Sequence, residues 1–372
     1  MTRDTPRVAI VHDYLTQRGG AERVVLALAR AFPGAPIHTS FYEPDETFPE
    51  FAQYDVRTMP LNRVALLRRQ HRLALPVLAP AFSRLRVDAD VTVCSSTGWA
   101  HGADVRGRRV VYCHSPARWL WVKDQYVPPG SAWSKRAVLN AIERPLRRWD
   151  VRAARRADRY LVNSTLIRER VARAYGIDAE IVPPPFSLDA DSPRHRPDGL
   201  PADIGDRMFV CVSRLLPYKN VRPVVDAFAG TPDRQLVVVG AGPEEAALRA
   251  VAGPNVAFTG TVGDAELAWL YAHARGLVAA SFEDFGITPL EAAAFGVPVA
   301  ALRWGGFLDT VREDDTGVFF DAPEAPLVRD ALTRLLAHDW ERDKLRAHAA
   351  TFSEPRFASK LQSVVDEELA RA

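Results

Sequence analysis

Two glutamates, Glu283 and Glu291, stand with seven residues between them in the segment from Ser281 to Gly296, Ser-Phe-Glu-Asp-Phe-Gly-Ile-Thr-Pro-Leu-Glu-Ala-Ala-Ala-Phe-Gly. The apolar run Gly276 to Ala280 ahead of them has the pattern of a strand, Gly286 that of a turn, and Thr288-Pro289 that of a helix start. Backbone N–H groups at Gly286, Ile287 and Thr288 would then face open space and favour an anion. A carboxylate repels phosphate, so Glu283 and Glu291 suit hydroxyl donors such as those of a sugar and a ribose. An anion site beside hydroxyl acceptors suits a sugar nucleotide. The local sequence also allows a structural role for Glu291. Thr288-Pro-Leu-Glu291 fits a capping box, with Thr288 as N-cap, proline at N1 and glutamate at N3.

The departing charge of a diphosphate has to be stabilised by a metal or by fixed cations. Val212-Ser-Arg-Leu-Leu-Pro-Tyr-Lys-Asn-Val221 supplies Arg214 just past a strand and Lys219 where the next helix begins. Both would reach the region of Glu283. Asp88-Ala-Asp90 has metal-binding letters but precedes a strand, where it caps or solvates the start. The expectation is therefore no metal and no cofactor. Near the N-terminus, Gly19 and Gly20 follow the first strand and let backbone approach a phosphate at a helix start. In Tyr112-Cys-His-Ser-Pro-Ala-Arg-Trp-Leu-Trp121, His114 follows an apolar strand and sits where ligand would be met. Arg118, Trp119 and Trp121 suit an acceptor sugar, and Trp99 and His101 are weaker candidates near another strand end.

These residues need strands that end at one edge, and the chain supplies them. Strand-like runs occur at Arg7 to His12, Val91 to Cys94, Arg109 to Cys113 and Tyr160 to Val162. They recur at Met208 to Val212, Gln235 to Val239, Val256 to Phe258, Gly276 to Ala280 and Val297 to Ala301. Helix-period segments separate them, beginning with Ala21 to Phe32. That alternation predicts parallel sheets covered on both faces. Pro183 to Arg207 is too rich in proline and polar residues for regular structure and reads as an exposed connection. The fold expected is α/β, with two Rossmann-like domains facing across a cleft. Residues 1–183 form the acceptor domain, 184–207 a linker and 208–353 the donor-nucleotide domain, and a last helix over 354–372 returns to the first domain.

Composition narrows the function. The 372 residues carry a formal charge of only +2, against the strong basic excess of a nucleic-acid binder. Cys94, Cys113 and Cys211 lie in apolar runs and read as buried thiols in a reducing compartment. No apolar run approaches the roughly 20 residues of a membrane span. The N-terminus enters a strand almost at once, so a cytoplasmic location without signal peptide is expected. Between Val56 and Val87 seven arginines, Arg57, Arg63, Arg68, Arg69, Arg72, Arg84 and Arg86, alternate with apolar residues and no acidic one. Such a stretch over 57–86 suits peripheral contact with anionic lipid at the inner face of a membrane, or an ordinary solvated helix face. The basic run Arg144 to Arg159 reads as the cover of a surface helix.

The pattern Glu-x-Phe-Gly-Ile-x-x-x-Glu-Ala resembles the signature of retaining nucleotide-sugar glycosyltransferases of family 4, whose other features occur in order along nearly the whole chain. His-Ser-Pro-x-Arg-Trp is similar to a subgroup that includes mannosyltransferases of polysaccharide assembly. The resemblance implies the GT-B type of fold. It also implies that Glu283 meets the transferred sugar, Glu291 holds the donor ribose, Arg214 and Lys219 grip the diphosphate, and His114 sits beside the sugar. The same-face substitution usually proposed lets the donor phosphate take the acceptor's proton. The implied donor is GDP-mannose, and the implied acceptor a glycan or lipid-linked molecule. One alternative is a transferase acting on a soluble natural product. Another is a non-catalytic two-lobed binding protein, which the pairing of two cations with two carboxylates disfavours. A dinucleotide-dependent dehydrogenase is disfavoured because Gly240-Ala-Gly242 lacks the third glycine of that fingerprint.

Overall fold

The computed structural model describes residues 7–69, 74–122, 133–202, 204–205 and 208–371, with backbone alone at 76 and over 133–142. The chain divides into two compact units, one of 1–185 with 354–372 and one of 186–353.

The first unit is built on a seven-stranded parallel sheet. Its strands are β1 (Val8–His12), β2 (Ile37–Thr39), β3 (Val56–Thr58), β5 (Val91–Ser96), β7 (Arg108–Cys113), β8 (Arg159–Val162) and β9 (Glu180–Ile181). The order is β3-β2-β1-β5-β7-β8-β9. Between them β4 (Arg86–Val87) and β6 (Asp104–Val105) pair in a small separate ladder. All six residues of β5 are buried, as covered parallel strands require. On one face lie helix Gly20–Ala31 and the last helix, Glu354–Leu369, and their apolar stripes pack with Ile10, Val93 and Tyr112. The C-terminal helix belongs to this unit through buried Phe357, Leu361, Val364 and Val365. It is also held by Arg30 Nη2 on Glu354 at 2.7 Å and Arg108 Nε on buried Glu368 at 3.0 Å.

The second unit has a six-stranded parallel sheet. Its strands are β10 (Met208–Val212), β11 (Leu236–Val239), β12 (Val256–Gly260), β13 (Ala274–Ala279), β14 (Val299–Leu302) and β15 (Gly317–Phe320), in the order β12-β11-β10-β13-β14-β15. The short strands β2, β3 and β15 were not among the expected ones. One apolar residue in β2 and in β3, and three in β15, give too weak a periodic signal to separate from loop.

The stretch expected as an exposed linker over 184–207 is partly core. Leu188 packs among Phe209 and Val221, and Leu200 and Ile204 pack against Met208 and Val237. Its prolines preclude regular structure, but its apolar residues still find the sheet. The basic run from Arg144 is likewise not only a surface cover. In helix Trp133–Ala154, Arg147 donates to Leu120 O at 2.8 Å and Asp150 is 1% exposed. Cys94, Cys113 and Cys211 are free and buried, and burial pushes the Cys94 and Cys211 thiols up to about 12. No helix among the described residues is long and apolar enough to cross a membrane.

Because Leu361 is fully buried in the first unit, Leu361→Ala should lower stability by about 2–5 kcal/mol. Urea denaturation measures this, and an unchanged midpoint would show that the last helix is not part of that core.

Candidate functional site

In the second unit the residues that leave β10 and β13 meet at the carboxyl edge of the sheet. Strand β10 runs into Ser213 and Arg214, a short 3-10 turn covers Pro217–Lys219, and Asn220 takes a left-handed φ of 53° before helix Val221–Ala229. Asn220 Nδ2 donates to Ala280 O at 3.0 Å, tying this turn to the end of β13. Lys219, largely buried, places Nζ directly on Glu283 Oε1, which also accepts from Ser281 Oγ at 2.9 Å. Arg214 Nη2 lies 3.0 Å from Tyr218 Oη, to which it donates. Lys219 and Glu283 are therefore in contact, with Arg214 on the same turn. Gly286 has φ +79°, and a Cβ there would stand 2.5 Å from Phe307 Cδ1, so the turn admits only glycine without rearrangement.

The capping box does not form. Helix Thr288–Ala294 has Ile287 as N-cap with no side-chain cap, and Thr288 is its first residue. Glu291, 7% exposed, instead accepts from Tyr271 Oη at 3.3 Å. Pro289 thus falls at the second helical position and not the first, which leaves Thr288 inside the helix and unable to cap it. Of the sequence-derived donor residues, Arg214, Lys219, Gly286, Ile287, Thr288, Glu283 and Glu291 all fall at this edge.

The first unit presents its own carboxyl edge, where β1, β5 and β7 end. His12 pairs with Ser95 and Ser96 with Cys113 in the sheet register. Ser95 Oγ therefore lies 2.8 Å from His114 Nε2 and 3.1 Å from His12 Nδ1. His114 is 9% exposed, and its carbonyl accepts from Asn163 Nδ2 at 3.1 Å. Burial first, and then the neighbouring His12 ring and Arg118 guanidinium, push the His114 imidazole down to about 3. His114 is thus uncharged at neutral pH. Asp13, 1% exposed, accepts from the backbone N–H groups of Thr97 at 2.7 Å, Trp99 at 3.1 Å and Ala100 at 2.6 Å, and from Thr97 Oγ1. Neither Asp13 nor Ser95 was singled out in sequence. Ser95 sits inside an apolar strand, and Asp13 reads as one more polar residue of a turn.

Gly19 and Gly20 begin helix Gly20–Ala31 as expected, with Gly19 as N-cap. That helix start carries a carboxylate of its own. Glu22 is 1% exposed, its Oε1 accepts from Gln17 Nε2 at 3.0 Å, and Oε2 has no hydrogen-bond partner among the described residues. Burial raises its carboxyl above the usual range against the pull of His12.

Several aromatic candidates have partners within the first unit. Trp121 Nε1 donates to Asp150 at 2.6 Å, and the Arg147 guanidinium lies 4.8 Å over its ring. Trp119 stacks on the buried Trp99 at 5.5 Å, while Arg118 is exposed. His101 is 1% exposed, with Nδ1 2.9 Å from Ser96 Oγ and Nε2 2.9 Å from Asp150. Ser96, His101 and Asp150 thus have the connectivity of a nucleophilic triad. Ser96 is wholly buried, however, and its hydroxyl accepts from Gly98 N at 3.0 Å, so no substrate reaches it. Asp88 and Asp90 face Arg7, whose N–H donates to Asp90 at 2.8 Å. The arginine-rich stretch is spread over β3 (Arg57), a 3-10 turn (Arg63), helices Ala65–Arg69 and Leu75–Arg84 (Arg68, Arg69, Arg84) and β4 (Arg86), and Arg72 lies outside the described residues.

A model of glycosyltransferase family 4 matches residues 18–190, and one of the group 1 glycosyl transferases matches residues 196–352. The GDP-mannose-dependent alpha-(1-6)-phosphatidylinositol monomannoside mannosyltransferase of Mycobacterium tuberculosis is 35% identical over 215 residues, 50% of this chain and 54% of the relative. The D-inositol 3-phosphate glycosyltransferase of a Nocardioides species is 29% identical over 226 residues, 52% of this chain and 49% of the relative. The chain spans about half the length of these curated relatives. Among solved structures, sucrose-phosphate synthase from Thermosynechococcus elongatus aligns with TM-score 0.70 at 21% identity, covering 98% of this chain and all of that one. HepE of Anabaena, in complex with UDP and glucose, aligns with TM-score 0.69 at 18% identity, covering 97% of this chain and all of its own. At these identities the likeness is one of fold, the GT-B pairing of two Rossmann-like domains.

Asp13→Ala removes the acceptor of four donors and should cost about 3 kcal/mol, read as a lowered thermal midpoint. A midpoint equal to that of the unsubstituted protein would mean that Asp13 does not hold the 97–100 turn.

Proposed function

The chain belongs to the family 4 and group 1 glycosyltransferases, and on that premise we propose that it is a retaining hexosyltransferase that moves mannose from GDP-mannose to a glycan or lipid-linked acceptor. The observation that carries the reading is the contact of Lys219 with Glu283, beside Arg214, at the carboxyl edge of the second sheet. In this reading the diphosphate takes Lys219 and Arg214, fixed cations that need no metal between them. Lys219 is then drawn from Glu283, whose carboxylate becomes an acceptor for sugar hydroxyls. One group cannot be fully satisfied by both partners, so donor binding and carboxylate release are coupled. Glu291, steadied by Tyr271, takes the ribose. As the sugar leaves, the bond from anomeric carbon to phosphate oxygen breaks and the acceptor oxygen bonds that carbon. The acceptor's proton passes to a phosphate oxygen, so no side-chain base is needed. His114, uncharged, can serve a ligand at the first unit's edge as a hydrogen-bonding group. The choice of GDP-mannose rests on the subgroup resemblance and on the name of the mycobacterial relative.

A lipid-linked acceptor also fits the arginine-rich stretch. Three large apolar side chains are exposed there, Val64 at 47%, Leu66 at 59% and Val77 at 42%. Arg57, Arg68 and Arg86 are paired with Asp55, Glu43 and Asp104, which leaves Arg63, Arg69 and Arg84 exposed beside the apolar ones. Apolar groups flanked by exposed arginines suit the surface of an anionic bilayer, where each finds its own layer.

Lys219→Ala should reduce donor-dependent release of nucleoside diphosphate about a hundredfold and weaken donor binding. Unchanged turnover and unchanged donor affinity would remove the diphosphate assignment. The protein should sediment with vesicles containing phosphatidylglycerol but not with phosphatidylcholine alone, and Leu66→Glu should abolish the difference. Equal sedimentation with both would dismiss the membrane surface while leaving the transferase reading intact.

A further inference from the structure

The hydrogen bonds behind His114 determine which of its nitrogens carries the proton. His12 Nδ1 lies 3.1 Å from the Ser95 carbonyl oxygen and 3.1 Å from Ser95 Oγ. A carbonyl oxygen only accepts, so His12 Nδ1 is protonated and shares its hydrogen between the two oxygens. Ser95 Oγ is thereby an acceptor toward His12, and its own hydrogen needs an acceptor elsewhere. Ser95 is wholly buried, and the remaining partner of its hydroxyl among the described residues is His114 Nε2 at 2.8 Å. Were Nε2 to carry a hydrogen as well, the serine hydrogen would be buried with no acceptor, which costs about 1–3 kcal/mol. Nε2 therefore accepts.

We propose that Ser95, oriented by His12, is a positioning residue that fixes His114 as the Nδ1–H tautomer, so that His114 offers a hydrogen-bond donor to a ligand oxygen and cannot act there as a base. The arrangement is made by the register of three strands: His12 ends β1 opposite Ser95 in β5, and β7 delivers His114 one residue beyond Cys113. Each ring is held by the same hydroxyl, and the rings meet edge to face with centroids 6.4 Å apart. A neutral ring has one proton, so accepting at Nε2 commits it to donating at Nδ1. The oxygen it would meet is a sugar hydroxyl or ring oxygen, a step that rests on the transferase reading. The tautomer itself does not.

The test is long-range nitrogen-15 NMR on histidine-labelled full-length protein, with His114→Gln used to assign the resonances. The expected spectrum shows the unprotonated nitrogen of His114 at Nε2. In Ser95→Ala the proton should move largely to Nε2, kcat should fall about five- to tenfold and donor KM should change much less, while Ser95→Thr restores the original tautomer. A His114 ring protonated at Nε2 in the unsubstituted protein, or an Nδ1–H ring that persists in Ser95→Ala, overturns the proposal. The spectrum needs no substrate. A correct tautomer without sugar transfer would count against the transferase reading alone, and an active enzyme with an Nε2–H ring would count against this inference alone.

Discussion

Parallel pairing is the constraint on which both units depend. Strands that all run one way end at one edge, and there the backbone must turn away with groups that no ladder satisfies. Residues far apart in the chain are thereby brought side by side. Ser95 in β5, His114 just past β7 and Asn163 just past β8 become a bonded set, while Asp13, just past β1, binds the turn that leaves β5. In the second unit Lys219, which follows β10, and Glu283, which follows β13, are paired in the same way, with Arg214 on the turn that carries Lys219. The apolar interiors of the strands contribute nothing to this chemistry directly. They fix register to a fraction of an ångström, and register decides which polar residues face each other.

Burying those polar groups is costly unless each is answered. Asp13 meets the requirement with four donors, three of them backbone N–H groups of a turn that would otherwise lie buried and unpaired. Asp150 meets it at Oδ2, which accepts from Trp121 and Tyr175, while Oδ1 lies 2.9 Å from His101 Nε2 without a hydrogen bond among the described residues. Such networks hold irregular segments in one conformation where neither helix nor strand can. That fits the burial of the turns leaving β5 and β7 at Gly98 to Ala100 and His114 to Ala117, whereas the turn leaving β1 is exposed at Gln17 and Arg18.

The alternation of apolar runs and helical segments was plain in the sequence because each element repeats its period several times. Glu283, Lys219 and Arg214 were legible for a related reason: each sits a fixed step past a strand, so its edge could be named before its neighbours were known. What escaped depended on distant partners. Whether Trp121 faces a ligand or Asp150 is set by helix Trp133–Ala154, some thirty residues on, and no local pattern records it. His101 looked accessible at a strand end and is sealed by the same carboxylate. Ser95 is invisible in a run of buried residues until its register partner, His12, is known. Thr288 failed as a cap because capping is decided within a single residue, finer than a sequence pattern resolves.

The two glycine-bearing turns also differ in charge, and the difference orders them as phosphate sites. At Gly19 and Gly20 the helix start already faces Glu22, a buried carboxyl with one oxygen unanswered. If ionised, it sets a negative charge where the helix dipole would otherwise draw an anion. Burial raises this carboxyl, and in its protonated form it is a donor suited to a single oxygen. At Gly286 the neighbouring turn instead brings Lys219 and Arg214. A group carrying two or more negative charges is better served by fixed cations than by a helix end whose partial charge is opposed. On the proposed transferase reading, a diphosphate is better served by the second unit's turn than by the helix start at Gly20.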